Sequence, residues 1–219
     1  MIKKDENPKW LKKIKVLVWD LDGTLYHGTS EIRNEIHSNV IKLISKKKKV
    51  SLEKAEELFW KKYKKVGSST KTMMQLGVDD KVIFSGKWYS EAQLKGIKKD
   101  EDLILMFKKL ANYRHIVNTN GIYSSSVEKL RKLGLALNTF EKIFTNADMF
   151  KVLKPDLLPF KEVLKYTGLE PQEHLFIGDR DETDLVPAKK LGMKTCMVWR
   201  QSEIADISLD SVYDLTESF

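Results

Sequence analysis

The first apolar run of the chain predicts a buried β-strand that stops at a charged residue. Residues 14–19 read IKVLVW and are mostly apolar or β-branched, which is typical of a buried strand. The run stops at Asp20, and the LDGTL stretch that follows contains a second aspartate, Asp22, and a glycine. The pattern therefore places polar groups at the carboxyl end of a strand, where open α/β sheets bind ligands.

The pattern then changes to the spacing of amphipathic helices. Apolar residues such as Ile32 and Ile36 recur at helical intervals, and no strand-like run interrupts residues 30–98. We expect this segment to be a small all-helical insertion after the first strand. The segments on either side, 1–29 and 99–219, are expected to form one α/β domain.

Beyond the insertion, strand-like and helix-like segments alternate. The predicted strands are 115–118, 142–145, 174–177 and 194–199, and the predicted helices are 101–112, 124–133, 156–167 and one that ends at Gly192. This alternation predicts a Rossmann-like α/β fold, with a parallel sheet and helices on both of its faces. The strand at 194–199 is expected to be the last in the sheet.

Composition narrows the class of protein. The 219 residues are 42% hydrophobic and include one cysteine, Cys196, which indicates a globular chain without an internal disulfide. No run approaches the roughly 18 apolar residues of a membrane span, and no secretory signal is found, so we expect a cytoplasmic protein. The net charge of +8 could favour anionic substrates or nucleic acid and does not decide between them. Of the aromatic residues, only Trp60 and Tyr63 lie among the lysines, and helical packing explains them better, so we expect no nucleic acid partner.

Polar residues follow four of the predicted strands or open the next helix. They are Asp20, Asp22 and Thr24; Thr119 and Asn120; Lys154; and Asp179 and Asp184. The carboxyl ends of parallel strands meet at one edge of a sheet, so these groups are expected to converge. Carboxylates crowded together need a positive partner, and oxygen ligands without histidine or cysteine suit a hard cation such as Mg²⁺.

The same residues predict phosphoryl chemistry. Magnesium typically binds one or two carboxylates together with a phosphate of the substrate. Asp20 is a candidate nucleophile, and Asp22, two residues further on, is a candidate acid and base. Lys154 can neutralise phosphate oxygens, and the Thr119 hydroxyl can donate a hydrogen bond to the transition state.

Together these motifs resemble the four ordered motifs of the haloacid dehalogenase superfamily. The matching segments are DLDGTL at 20–25, TNG at 119–121, KPD at 154–156, and GD at 178–179 with Asp184. Each motif alone is common, but four in order, each after a predicted strand or at the start of a helix, form a specific signal. The resemblance covers essentially the whole chain outside the insertion.

The resemblance implies a role for each of the aspartates. Asp20 would be the nucleophile and a magnesium ligand. Asp22 would be the acid and base, and its main-chain carbonyl would also bind magnesium. Asp179 would be a further metal ligand, and Asp184 would support the metal through water or by holding Lys154.

The other motifs are implied to bind the phosphoryl group. Thr119 and Lys154 would grip it, with Asn120 and Gly121 beside them, although a simple turn explains Asn120 equally well. The insertion, residues 30–98, would be a small helical cap that closes over the substrate.

The expected activity is hydrolysis of a phosphomonoester through an aspartyl phosphate. The sequence of the insertion is similar to that of pyrimidine 5′-nucleotidase-like members, and the core motifs are shared with phosphoglycolate phosphatase-like members. The expected substrates are small phosphorylated metabolites, with nucleoside monophosphates as candidates, and the expected assembly is a monomer or homodimer. A sugar phosphomutase, a haloacid dehalogenase and a non-catalytic binding protein are the alternatives.

Overall fold

The computed structural model describes residues 8–27, 30–66 and 68–219. The chain divides into two compact units. The helical unit is Gly28–Gly96, and the larger unit combines Met1–His27 with Ile97–Phe219. The sequence placed the insertion at 30–98, and its action as a cap stays a prediction.

The larger unit is built on a six-stranded parallel sheet. Its strands are β1 (Val16–Trp19), β2 (Arg114–Thr119), β3 (Lys142–Thr145), β4 (His174–Gly178), β5 (Lys194–Val198) and β6 (Ile207–Leu209). Their order is β3-β2-β1-β4-β5-β6, and every neighbouring pair is parallel. The predicted Rossmann-like α/β class is confirmed.

One expectation about the sheet was wrong. The strand at 194–199 is not the last, because Ile207–Leu209 adds β6 at the edge, where Cys196 pairs with Ile207. Three residues are too few to show a strand period, so periodicity could not predict this strand.

Helices cover both faces of the sheet. In the larger unit they are α6 (Glu101–Lys109), α7 (Tyr123–Lys132), α8 (Asn146–Met149), α9 (Leu158–Thr167), α10 (Val186–Lys190) and α11 (Leu215–Ser218). Side chains alternate along β1, so that Leu17 and Trp19 join one core cluster while Val16 and Val18 join the other. Residues of α6, α7 and α11 pack in the first cluster, and residues of α9 and α10 pack in the second. Burying each large apolar side chain contributes roughly 1.5–3 kcal/mol.

The helical unit has its own core. Its helices are α1 (Ser30–Lys48), α2 (Leu52–Val66), α3 (Ser69–Gln75), α4 (Asp80–Ile83) and α5 (Lys87–Gly96). Val40 and Ile44 of α1 pack with Ala55 and Phe59 of α2 and with Met73 of α3. No strand occurs among the described residues of this unit, as the sequence predicted.

The strand order creates a crevice beside β1. The chain runs from β1 outward through β2 and β3, then crosses to β4 on the other side of β1. In open α/β sheets, ligands bind at the carboxyl ends of the strands where the order reverses in this way. The residues that follow β1, β2 and β4 therefore lie where a ligand would be expected to bind. Across the described residues, no helix is both long and apolar enough to span a membrane.

Candidate active site

Three carboxylates converge at the carboxyl edge of the sheet. Asp20 directly follows β1, Asp179 directly follows β4, and Asp184 lies in the helical turn Asp181–Leu185. One oxygen from each of the three lies within 4.8 Å of the others. We call these three side chains the acid cluster. The structure thus brings together three of the four aspartates that the sequence singled out.

Lys154 bridges two members of the acid cluster. Its Nζ donates to Oδ1 of Asp20 and to Oδ1 of Asp184, both at 2.7 Å, and its side chain is only 1% exposed. Burial alone would lower the pKa of Lys154, but the two carboxylates outweigh burial and raise it above its usual value. The lysine is therefore held in its charged form. Of the two supporting roles expected for Asp184, the structure shows the contact with Lys154.

The acid cluster holds more negative charge than Lys154 can balance. Burial, with repulsion from Asp184 and Asp179, raises the pKa of Asp20 to about 7 against the opposing charge of Lys154. Burial and Asp184 likewise raise the pKa of Asp179 to about 6. Oδ1 of Asp179 is buried and has no hydrogen-bond partner among the described residues. A divalent cation would satisfy this oxygen and the excess charge, and an all-oxygen donor set suits a hard cation.

Gly23 allows the loop after β1 to lie against the acid cluster. Its φ is +94°, a conformation that side chains other than glycine rarely adopt, and a Cβ there would lie 2.5 Å from Oδ2 of Asp179. Thr24, the next residue, donates from Oγ1 to Oδ2 of Asp20 at 3.3 Å. Any other residue at position 23 of the first motif would therefore strain the backbone and collide with Asp179.

Thr119 and Gly121 form a tight turn at the end of β2, next to β1. Thr119 is the last residue of β2 and is buried, and its Oγ1 accepts a hydrogen bond from the Gly121 N–H at 3.0 Å. A Cβ on Gly121 would lie 2.9 Å from Oγ of Ser126. A side chain at this position would therefore require Ser126 to shift.

Asn120 binds the backbone of the lysine motif. Its Oδ1 accepts from the Lys154 N–H at 2.8 Å, and its Nδ2 donates to the Lys154 carbonyl at 3.1 Å. Asn146 donates from Nδ2 to both Asn120 and Asn118, which links the ends of β2 and β3 to this contact. The Asn120 side chain thus positions Lys154, so a contact of Asn120 with phosphate would come from its main chain.

Asp22 lies in different surroundings from Asp20. Its side chain is 24% exposed, and its Oδ1 accepts hydrogen bonds from Lys129 Nζ at 2.6 Å and from the Tyr26 hydroxyl. The carboxylate of Asp22 is not a member of the acid cluster. Its predicted metal contact, through the main-chain carbonyl, stays a prediction.

Sequence reasoning missed Lys129. Its side chain is completely buried although it lies on α7, a helix with basic residues in its last turn. The signal was present in the helical spacing, because Lys129 shares a face with Ser126, Leu130 and Leu133, all of which are buried. A lysine on the apolar face of a helix needs a carboxylate partner, and Asp22 provides one.

Comparison with known proteins identifies the class that this fold and site define. The chain belongs to the haloacid dehalogenase-like hydrolase family, whose sequence profile matches residues 17–198. The family resemblance seen in the motifs is therefore confirmed.

Individual relatives narrow the class further. The chain is 28% identical over 221 residues to a glyceraldehyde 3-phosphate phosphatase of Methanocaldococcus jannaschii, covering 93% of this chain and 96% of that protein. It is 25% identical over 217 residues to a phosphoglycolate phosphatase of Aquifex aeolicus, covering 93% and 96%. The crystal structure of a phosphatase of the same superfamily from Thermococcus onnurineus matches with a TM-score of 0.65 at 22% identity, covering 92% of this chain and 96% of that one. The enzyme class predicted from the sequence, a phosphatase, is confirmed by these relatives.

Proposed function

We propose that this protein is a magnesium-dependent phosphomonoesterase that acts through an aspartyl phosphate on Asp20. The observation that carries the proposal is the acid cluster, with Lys154 between Asp20 and Asp184 and an unpartnered buried oxygen on Asp179. This arrangement offers a nucleophile, a fixed positive charge and donors for one cation at the same strand ends.

Asp20, Asp179 and the main-chain carbonyl of Asp22 would hold the cation, with Asp184 supporting them. When bound, Mg²⁺ supplies positive charge that offsets the repulsion between the Asp20 carboxylate and the incoming phosphate. Burial, together with repulsion among the carboxylates, raises the pKa values of Asp20 and Asp179, and a bound cation would offset that repulsion.

The protein's own residues perform the first half of the reaction. An oxygen of Asp20 attacks phosphorus, forming an oxygen–phosphorus bond as the bond to the ester oxygen breaks. Asp22 gives its proton to the departing oxygen, which leaves as an alcohol. The Lys154 ammonium and the Thr119 hydroxyl stabilise the charge on the phosphoryl oxygens.

The second half returns the enzyme to its starting state. Asp22, now a carboxylate, takes a proton from a water molecule as that water attacks phosphorus. The bond between phosphorus and Asp20 breaks, inorganic phosphate is released, and Asp22 again carries its proton. The same two aspartates therefore act in both halves, and the chemistry balances without a further reactant.

The proposed substrates are small phosphorylated metabolites. The relatives named for glyceraldehyde 3-phosphate and phosphoglycolate support two- and three-carbon esters as the first compounds to test. Nucleoside monophosphates are a further candidate, because the sequence of the insertion is similar to that of pyrimidine 5′-nucleotidase-like members. A phosphomutase would pass the phosphoryl group to a sugar phosphate, whereas a dehalogenase has no use for Asp22 as a proton donor.

The cytoplasmic location and the choice between monomer and homodimer stay predictions from the sequence.

The proposal is tested by a phosphatase screen over these three classes of ester and sugar phosphates, with magnesium and with EDTA. We expect the parent protein to release phosphate from at least one ester only when the metal is present. Asp20→Asn, which keeps the shape of the side chain, should lower kcat by at least about 10³-fold. Asp102→Asn, at an exposed position of α6, is the matched control and should retain full activity.

Two results would contradict the proposed function. The first is a parent protein that releases phosphate from no ester in the screen. The second is an Asp20→Asn variant that keeps the activity of the parent. Transfer of phosphate to a sugar phosphate without net release would instead identify the mutase.

A further inference from the structure

We propose that Lys129 is a positioning residue for the reaction, because it fixes the orientation of Asp22 so that the carboxylate's free oxygen faces the leaving group. The proposal rests on the proposed function, and it adds a residue that lies outside the four motifs. Three observations on the larger unit support it.

The first observation is that the Lys129 ammonium is buried and paired with Asp22. The side chain is fully buried on α7, and its Nζ lies 2.6 Å from Oδ1 of Asp22. Moving an ammonium out of water costs several kcal/mol, and buried ion pairs are often no more stable than well-packed apolar residues of the same size. An apolar side chain at this position would fit the face formed by Leu130 and Leu133, so a charge there needs another explanation.

The second observation is that both donors to Asp22 bind the same oxygen. Lys129 and the Tyr26 hydroxyl each donate to Oδ1. Tyr26 also forms a short backbone bridge with Asp22, which fixes the loop between them. With Oδ1 occupied by two donors, a proton carried by Asp22 resides on Oδ2. Oδ2 is therefore the oxygen that delivers the proton to the ester oxygen and later receives one from water.

The third observation is that Lys129 connects Asp22 to the phosphate-binding end of β2. Helix α7 begins at Tyr123, four residues after Thr119, and Lys129 lies within its second turn. Helix α7 thus fixes Asp22 relative to Thr119, although Asp22 and Lys129 are 107 residues apart in sequence. A misplacement of about 1 Å between catalytic groups can cost about 100-fold in rate.

The test compares Lys129→Met with the parent on two substrates. Methionine keeps most of the length of the side chain and removes the ammonium, and Arg131→Met is the matched control because Arg131 is exposed on the same helix. The substrates are the alkyl phosphate that the parent hydrolyses fastest and p-nitrophenyl phosphate. The nitrophenolate leaving group departs without a proton, so only the second half of its reaction requires Asp22.

For Lys129→Met we expect kcat for the alkyl phosphate to fall about 10- to 100-fold, with KM within about threefold of the parent value. With p-nitrophenyl phosphate we expect a burst of about one nitrophenolate per enzyme, followed by slow turnover, because the aspartyl phosphate forms normally and then accumulates. Arg131→Met should match the parent on both substrates. A purely structural role for Lys129 would lower both steps together and would produce no burst.

The inference is overturned if Lys129→Met matches the parent on both substrates, or if it loses activity on both without a burst while remaining folded in a thermal melt. If Lys129→Met does not fold at the assay temperature, Tyr26→Phe decides in its place, with the same pattern at about 3- to 10-fold. An inactive parent, or an active Asp20→Asn, overturns the proposed function itself and this inference with it. An active parent with an inactive Asp20→Asn and an unchanged Lys129→Met overturns the role of Lys129 alone.

Discussion

Two aspartates that are two residues apart each pair with a buried lysine, and their surroundings differ. Asp20 and Lys154 are both buried, and they share their space with Asp184 and Asp179. Asp22 is partly exposed and lies outside the acid cluster, and one of its oxygens accepts hydrogen bonds from both Lys129 and the Tyr26 hydroxyl. The first pair therefore lies in a site with excess negative charge, and the second lies in a site where one carboxylate faces two donors.

In the proposed mechanism, this difference explains how one short motif would provide two kinds of chemistry. A carboxylate in a crowded anionic site suits metal binding and attack on phosphorus, whereas a carboxylate held by donors at one oxygen suits proton transfer at the other. Environment assigns such roles in enzymes that use two carboxylates. The comparison can be tested by changing one side at a time.

The largest effect should come from removing the proton carrier. Asp22→Asn keeps the size of the side chain but cannot exchange a proton, so kcat should fall about 10²- to 10⁴-fold. The acid cluster is untouched, and the melting temperature should still rise when magnesium is added. Steady-state kinetics and thermal melts with and without the metal measure both effects. Unchanged kcat together with a lost metal response would reverse the roles given to Asp20 and Asp22.

The next largest effect is a difference in the free energy of unfolding between variants of Lys154 and Lys129. Lys154→Met leaves the buried carboxylates of Asp20 and Asp184 without the ammonium that they share. In EDTA, where no metal replaces this charge, the free energy of unfolding should therefore fall by about 3–5 kcal/mol. Lys129→Met leaves Asp22 with solvent on one side and should cost less than about 2 kcal/mol. Urea unfolding of both variants measures the difference. Equal costs would show that the two lysine sites are equivalent.

Among the side chains of the four motif aspartates, metal binding should depend on those of the acid cluster and not on that of Asp22. Magnesium at 100 times its dissociation constant should raise the free energy of unfolding by about 2.7 kcal/mol. Asp179→Asn should remove this gain, because the oxygen without a protein partner is lost as an anionic ligand, while Asp22→Asn should keep it. Thermal melts across a magnesium titration provide the measurement. A metal response that survives in Asp179→Asn would place the cation elsewhere.

The smallest effect is a pH dependence of the metal-free protein. The folded pKa of Asp20, about 7, lies above its unfolded value of 3.8, so the folded protein holds an extra proton between these values. Stability from this group is therefore present at low pH and lost as the pH rises through 7, by on the order of 2 kcal/mol between pH 5 and 8. His115 and His174, whose pKa values burial lowers, act in the opposite direction.

The measurement is consequently a difference between two proteins. Unfolding in EDTA at pH 5, 6, 7 and 8 is compared between the parent and Asp20→Asn, which share both histidines. The parent should lose more stability than the variant as the pH rises. Parallel curves for the two proteins would contradict the raised pKa of Asp20.

Much of the fold could be predicted from periodicity. The runs that became β1, β2, β3, β4 and β5 are apolar, and their alternation with amphipathic segments requires parallel strands. The edge strand at Ile207–Leu209 could not be found, because three residues carry no measurable period. Its place is decided by pairing with β5, which is a tertiary contact.

Some contacts of the candidate site could likewise be predicted from the sequence, and others could not. The convergence of Asp20, Asp179 and Lys154 could be predicted, since parallel strand ends meet at one edge. The burial of Lys129 could have been predicted from its face of the helix, but its contact with Asp22 could not, because the two residues are 107 positions apart in sequence. The two hydrogen bonds between Asn120 and the backbone of Lys154 are likewise visible only in three dimensions.

The division of the chain has an evolutionary consequence. The acid cluster, Lys154, Thr119 and the pair of Asp22 and Lys129 all belong to the larger unit, on both sides of Gly28–Gly96. In the proposed mechanism, substitutions inside the insertion would therefore leave the catalytic groups unchanged, and changes in substrate choice could arise there. Divergence between relatives should accordingly accumulate faster within Gly28–Gly96 than at the strand ends that flank it.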